Sequence, residues 1–390
     1  MTAASAEHGR GRATLIVGHC AGMVDLVALP VWIGVLVGLY GFDPQRSGGL
    51  LTLFLLGVVA SSVAFAGRFN RLAPRVAAVS GFVAASVAFL LLARVNAYGF
   101  MAALHALAGL SVGCALSAVH GSVGASARPH RLFAIASIGL GVFGVLFMAT
   151  VPKLITGFGG PALFTVLAGV MLVAAAASAA FFPAPAGTER SARTTGGLPR
   201  LDKRVWFGIA GICCMTLIQA MTFAFAERAG IDRGFSKEGV AAVLIAMGLF
   251  ALVPGALAAA LERRWSVRAV TLCAPLAQAA LCAVIANSGA FPAYAVAFVL
   301  FPTVIIFTHP FAFGLLARLD PTSRAVSATP AMVMTGAACG PILGGTLIKV
   351  FGYGSLALAA GVVAALAVLC FWRASAAGAT AAPQAAASNA

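Results

Sequence analysis

The chain has 390 residues, 61 % of them apolar and only 9 % charged, with a formal net charge of +15. A soluble domain carries about 25 % charged residues, so a water-soluble globular protein is excluded. A nucleic-acid-binding surface is excluded too, because short loops scatter the positive charges instead of gathering them on one face. Apolar stretches long enough to cross a hydrocarbon core of about 30 Å follow one another along the chain. Twelve are read, at 13–37, 48–67, 75–94, 98–120, 131–153, 160–182, 205–226, 238–261, 268–287, 291–317, 325–349 and 353–373.

The first span follows Arg10 and Arg12. It is too long for the about 7–15-residue core of a signal peptide and is read as a helix that stays. Residues 1–12 form an N-terminal arm, 13–182 a first six-helix bundle, 183–204 a polar linker, 205–373 a second bundle and 374–390 an uncharged Ala-rich tail. Of the 25 Lys and Arg, Arg46, Arg94, Lys153, Arg228, Arg233, Lys237 and Lys349 fall on one side of this topology, and the other 18 fall with the arm, the even-numbered loops and the tail. The positive-inside bias places both termini in the cytoplasm, as expected of a bacterial inner-membrane protein, with anionic lipid as the partner of that basic face. The eight cysteines lie in or beside apolar spans and predict no disulfide framework.

Residue roles recur at a constant offset of 193. Arg71, Arg75 and Arg131 return as Arg264, Arg268 and Arg324. Gly41-Phe42 returns as Gly234-Phe235, and Phe158-Gly159 as Phe351-Gly352. Self-similarity at half the length of an apolar chain predicts two homologous membrane bundles facing each other, the arrangement of a carrier. Asp43 and Ser236, just past the paired Gly-Phe, are read as N-caps of matching helices.

Motifs extend this reading. Residues 66–75, Ala-Gly-Arg-Phe-Asn-Arg-Leu-Ala-Pro-Arg, are similar to the G-x-x-x-D-R-x-G-R-R loop between the second and third helices of the major facilitator superfamily, with Asn70 in place of the aspartate and Ala73 in place of a glycine. Glu262-Arg263 stands at a similar place in the second half. His105-x3-Gly109-x3-Gly113 in the fourth span resembles an R-x3-G motif of proton-coupled exporters, with His for Arg. Gly336-x3-Gly340-Pro341-x2-Gly344-Gly345 in the eleventh span matches G-x3-G-P-x2-G-G, a pattern that normally marks the fifth helix of antiporters; the fifth span here has Gly139, Gly141 and Gly144 without a Gly-Pro pair. The chain thus resembles a twelve-helix member of that superfamily, all-α, with two pseudo-symmetric six-helix bundles. The resemblance implies a proton-coupled secondary transporter, preferably exporting a small amphiphilic or aromatic compound, with proton-coupled uptake of a neutral metabolite or a soft metal such as copper as the alternative. It implies no enzymatic activity and no cofactor, and a monomer whose partners are a small-molecule substrate, protons and lipid.

Asp25, about midway along the first span, is the candidate proton carrier, since an ionised Asp at a helix centre costs about 2.5–3.5 kcal/mol. His105 takes the place of the exporters' arginine and keeps a group that titrates near physiological pH. Pro302 and Pro310 predict a kinked or broken tenth span, whose Tyr294, Phe298 and Phe301 share a face. With His309, Trp32 and Gln219, which falls one residue from the 193-offset image of Asp25, they are the candidate substrate contacts. Asn70, Arg71, Arg75, Glu262, Arg264 and Arg268, with Gly336, Gly340, Pro341 and Gly344, are the candidate conformational elements. Gly139-Leu-Gly141-Val-Phe-Gly144 fits a dinucleotide pattern, but it lies inside an apolar helix with no preceding strand and serves packing instead. His19, Cys20 and Met23 with Cys213, Cys214, Met215 and Met221 are the soft ligands of the copper alternative.

Overall fold

A computed structural model of the chain describes residues 3–66, 73–124, 126, 129–183, 202–251, 253–261, 264–320 and 329–375. All regular structure among them is helical: α1 (Ala3–Gly22), α2 (Asp25–Gly38), α3 (Pro44–Ala66), α4 (Pro74–Leu92), α5 (Tyr98–Gly124), α6 (Pro129–Phe158), α7 (Pro161–Phe181), α8 (Lys203–Asp232), α9 (Lys237–Phe250), α10 (Val253–Leu261), α11 (Val267–Asn287), α12 (Phe291–Leu319), α13 (Thr329–Phe351) and α14 (Ser355–Ser375). Twelve membrane-crossing stretches result among the described residues, as the hydropathy predicts. Helices suit this setting because they satisfy their backbone polar groups internally, where lipid offers no partner. The predicted arm at 1–12 is mostly part of α1, and most of the linker and tail lies outside the described residues.

The repeat of 193 is written into the backbone. The positive-φ glycines are Gly41 (71°) and Gly234 (84°), then Gly159 (77°) and Gly352 (76°). These are left-handed positions that only glycine takes at little cost. Gly159 N–H donates to Ile155 O and Gly352 N–H to Ile348 O, each at 2.8 Å, the αL closure of a helix end. Asp43 Oδ1 accepts from Arg46 N–H at 2.9 Å, and Ser236 Oγ accepts from Gly239 N–H at 3.1 Å, so both predicted N-caps form.

The two halves, α1–α7 and α8–α14, meet mainly at one end, here termed the closed face. α3 and α13 pack backbone to backbone there: a methyl group on Gly48 would overlap the Pro341 carbonyl oxygen, and one on Gly345 the Pro44 carbonyl oxygen. Ile342 N–H donates to Thr52 Oγ1 at 3.1 Å across the seam. At its rim, Lys349 Nζ reaches Asp43 Oδ2 at 3.1 Å and Gln45 Oε1 at 3.2 Å. Small residues permit this approach, which is what drives helix association where lipid is as apolar as leucine. The glycine motif of α13 is therefore two-sided. Gly336, Gly340 and Gly344, one helical face, lie against α8 at Thr216, Ala220 and Met221, inside their own half. Gly345 and the Pro341 carbonyl face the other half. Gly109 and Gly113 of α5 play the intra-half role against the α3 backbone at Phe54 and Val58.

The opposite face is open. The first span divides at residues 23–24: α2 packs on α8 of the second half, whereas α1 packs on α5, α6 and α7 of its own half. In the eighth span α9 ends at Phe250 and packs on α6 of the first half, whereas α10 packs on α9 and α12 of its own. Both spans pair a segment that crosses the seam with one that does not.

The two classes of glycine predict different phenotypes. Gly336→Val is expected to lower stability by about 1–3 kcal/mol through overpacking, seen as a reduced Tm in detergent. Gly48→Val is expected to leave Tm nearly unchanged but hold the seam open, raising the labelling rate of Thr52→Cys in a background without native cysteines; slow labelling would contradict this. Asp43 gives a pH test. Burial opposes its charge, but the Arg46 N–H and the Lys349 ammonium outweigh it and hold the carboxyl below the usual range. With the closed-state value lowered, the pair's contribution to closure is complete above the ordinary value of about 4 and is lost as pH falls below it. Thr52→Cys labelling is expected to speed up only in that acid window, and Lys349→Met to remove the effect.

Candidate functional site

Asp25 opens α2 at the break in the first span and is only 4 % exposed. Pro30 supplies no N–H to the Leu26 carbonyl, and Gly22 allows close approach to Leu116 of α5. The backbone between them tightens, with Val24 N–H donating to Ala21 O at 3.3 Å and Leu26 N–H to Met23 O at 3.2 Å. Asp25 stands at the N-terminus of α2, where a helix end favours negative charge. Leu26, the next residue, is 42 % exposed. The expected break in the tenth span does not occur. α12 runs unbroken from Phe291 to Leu319 with Pro302 and Pro310 inside it, each proline removing one donor without ending the helix.

Below the break, His19 Nδ1 and His120 Nε2 of α5 lie 2.9 Å apart, sharing one proton. His19 Nε2 has no partner among the described residues. His120 was not anticipated: it ends an apolar span with no motif around it. His105 is fully buried, with its Nδ1 bonded to Met101 O at 2.7 Å and its Nε2 accepting from Trp32 Nε1 at 3.2 Å. Neither partner is Asp25. Trp32 itself is fully buried among Phe54, Phe89, His105 and Phe164, at ring distances of 5.2–6.2 Å.

In the second half, Gln278 Nε2 donates to Gln219 Oε1 at 3.0 Å, joining α11 to α8. Gln278 Oε1 is buried without a partner, as is His309 Nε2, whose ring stacks on Phe313 at 5.1 Å. Tyr294, Phe298 and Phe301 are fully buried on one face of α12. Tyr294 Oη donates to Ala226 O at 2.9 Å and Phe298 meets Phe223 at 6.1 Å, so the face is turned toward α8 in this conformation. Glu227 lies five residues before the end of α8. Its Oε1 lies 3.4 Å from where a Cβ on Gly34 of α2 would sit, and its Oε2 is buried with no partner among the described residues.

Of the candidate gating residues, Asn70, Arg71 and Glu262 lie outside the described residues. Arg75 donates to Ala179 O within its own half. Arg264 and Arg268 are exposed. Gly336, Gly340, Pro341 and Gly344 form the two-sided helix described above. Among the described residues no group of three or more His, Cys, Asp or Glu could hold a metal ion.

The Major Facilitator Superfamily model matches residues 14–329. Among solved structures, the nucleoside transporter NupG superposes with a TM-score of 0.73 at 13 % identity, covering 93 % of this chain and 98 % of that one. A mutant form of NupG gives 0.72 at 13 % identity, covering 94 % and 99 %. Identity this low speaks for the fold. No curated protein sequence matches the chain. With a family match over most of its length, a pseudo-symmetric twelve-span fold and one closed face, the chain belongs to the Major Facilitator Superfamily of transporters.

Proposed function

We propose that the chain is a proton-coupled secondary transporter that works by alternating access and exports a small amphiphilic or aromatic compound. The observation that carries this reading is Asp25, a buried acid where the first span divides into a segment that crosses the seam and one that does not. Unwound backbone and a half-helix N-terminus are how carriers build midplane ion sites. Placing the basic loops in the cytoplasm makes the closed face the outer one, so the conformation faces inward. In that frame Asp25 exchanges its proton with the open side. His105 acts through Trp32, holding the indole against the aromatic core, as a positioning residue. Gln219 and His309, with the α12 aromatics, supply cargo contacts once the α8–α12 packing changes. Arg75, Arg264 and Arg268, on the open side, serve the latch that forms when that side closes.

Proton-coupled uptake of a neutral polar solute is the second reading. It is favoured by the Gln219–Gln278 amide pair with its unused acceptor, and the two similar structures are those of a nucleoside transporter.

Everted vesicles with an imposed pH gradient test the proposal, followed by proton release on adding aromatic cations, neutral drugs and nucleosides. Asp25→Asn is expected to lose gradient-driven flux while retaining substrate exchange without a gradient; uphill flux in the mutant would contradict the assignment. His105→Gln is expected to keep coupling and lose about 1–3 kcal/mol of stability, the cost of a buried donor left unpaired. An uncoupled but fully stable His105→Gln would instead give His105 a direct proton role.

A further inference from the structure

The seam at the closed face contains one acid with an unpartnered atom. Glu227 reaches from α8 toward Gly34 of α2, so its carboxyl is sandwiched between the first helices of the two halves. Its Oε2 has no hydrogen-bond partner among the described residues. The charged and titratable groups around it bond elsewhere, except that the Nε of the neighbouring Arg228 is buried without a hydrogen-bond partner among the described residues. Arg228, its chain neighbour, binds Asp232 at 2.6 Å through Nη2 and lies beside Gly38 through Nη1. Tyr294 of α12 donates to Ala226 O, and Arg233 donates to the carbonyls of Ile285 and Ala286. On the α2 side the carboxyl meets Gly34. A carboxylate taken out of water without a full set of partners is costly, and the inexpensive form in such a place is the neutral acid.

We propose that Glu227 is a second proton-coupling residue, which holds a proton while the closed face is sealed and releases it when that face opens. Gly34 is what makes room for the neutral carboxyl in the seam. Opening parts α2 from α8 and hydrates the carboxyl, so proton release favours the open state and proton uptake favours closure. This deepens the proton-coupled reading above by placing an exchange site at the closed face, apart from Asp25. Its conformational consequence holds whether or not transport runs through Asp25.

The test is a distance measured across the closed face by electron–electron resonance between spin labels at Asn96 and Gly289, two exposed loop positions, one in each half. The full chain is used in a background without native cysteines, from about pH 5 to about pH 9, above the range of Asp43. The native Glu227 protein is expected to shift from short to long distances as pH rises, its open-to-closed ratio changing by at most about tenfold per pH unit, the limit for one linked proton. Glu227→Gln is expected to stay short at every pH. A pH-independent distance in the native protein would overturn the proposal without needing any mutant to fold. A normal pH response in Glu227→Gln would overturn it as well. Asp25→Asn vesicles that still pump uphill, with the Glu227 response intact, would instead sink only the Asp25 assignment.

Discussion

Two helices from different halves touch backbone to backbone at Gly48 and Gly345, and the rest of the molecule is arranged around that contact. Lipid gives no hydrophobic reason for helices to associate, so van der Waals contact and a few hydrogen bonds must hold them. At this seam they do so with no side chain between the strands of backbone. A contact of this kind is made fully or not at all, since packed interfaces are bistable rather than continuously deformable. The same glycine helix, α13, fixes its own half through Gly336, Gly340 and Gly344 and closes the molecule through Gly345. One helix thus joins stability to conformational state.

The paired segments of the first and eighth spans give that seam something to act on. α2 and α9 belong to the contact between halves, and α1 and α10 belong to their own bundles. Asp25 sits at the first of these boundaries, at the N-terminus of α2. A shift of α2 relative to α1 therefore changes the partners of Asp25, and a change in its charge alters the cost of that shift. Glu227 stands against the same short helix nearer the closed face, so α2 is flanked by an acid at each end.

Much of the fold is legible in the sequence, for physical reasons. The 193-residue offset survives because Gly41, Gly159, Gly234 and Gly352 all occupy positive-φ positions, where few other residues fit, and because Asp43 and Ser236 do the same capping work. The site was less legible. Proline marked α12 for a kink or a break, but the helix runs unbroken through Pro302 and Pro310. The break came instead at Met23–Val24, under the influence of Pro30 several residues on. Glu227 sits near a helix end, which suggests solvent, but the seam covers that end and removes the water. Trp32 and His105 carry no mark of belonging to one aromatic core, since ring contacts depend on which helices become neighbours.

The central claim is that the two faces exchange roles around one seam. The most direct test is to measure both faces on the same protein, with spin labels at Asn96 and Gly289 across the closed face and, separately, at Ala73 and Trp265 across the open one, as cargo and pH are varied. The account predicts opposite changes, one distance lengthening as the other shortens. Two distances that rise and fall together, or an open face that never closes under any condition, would contradict it.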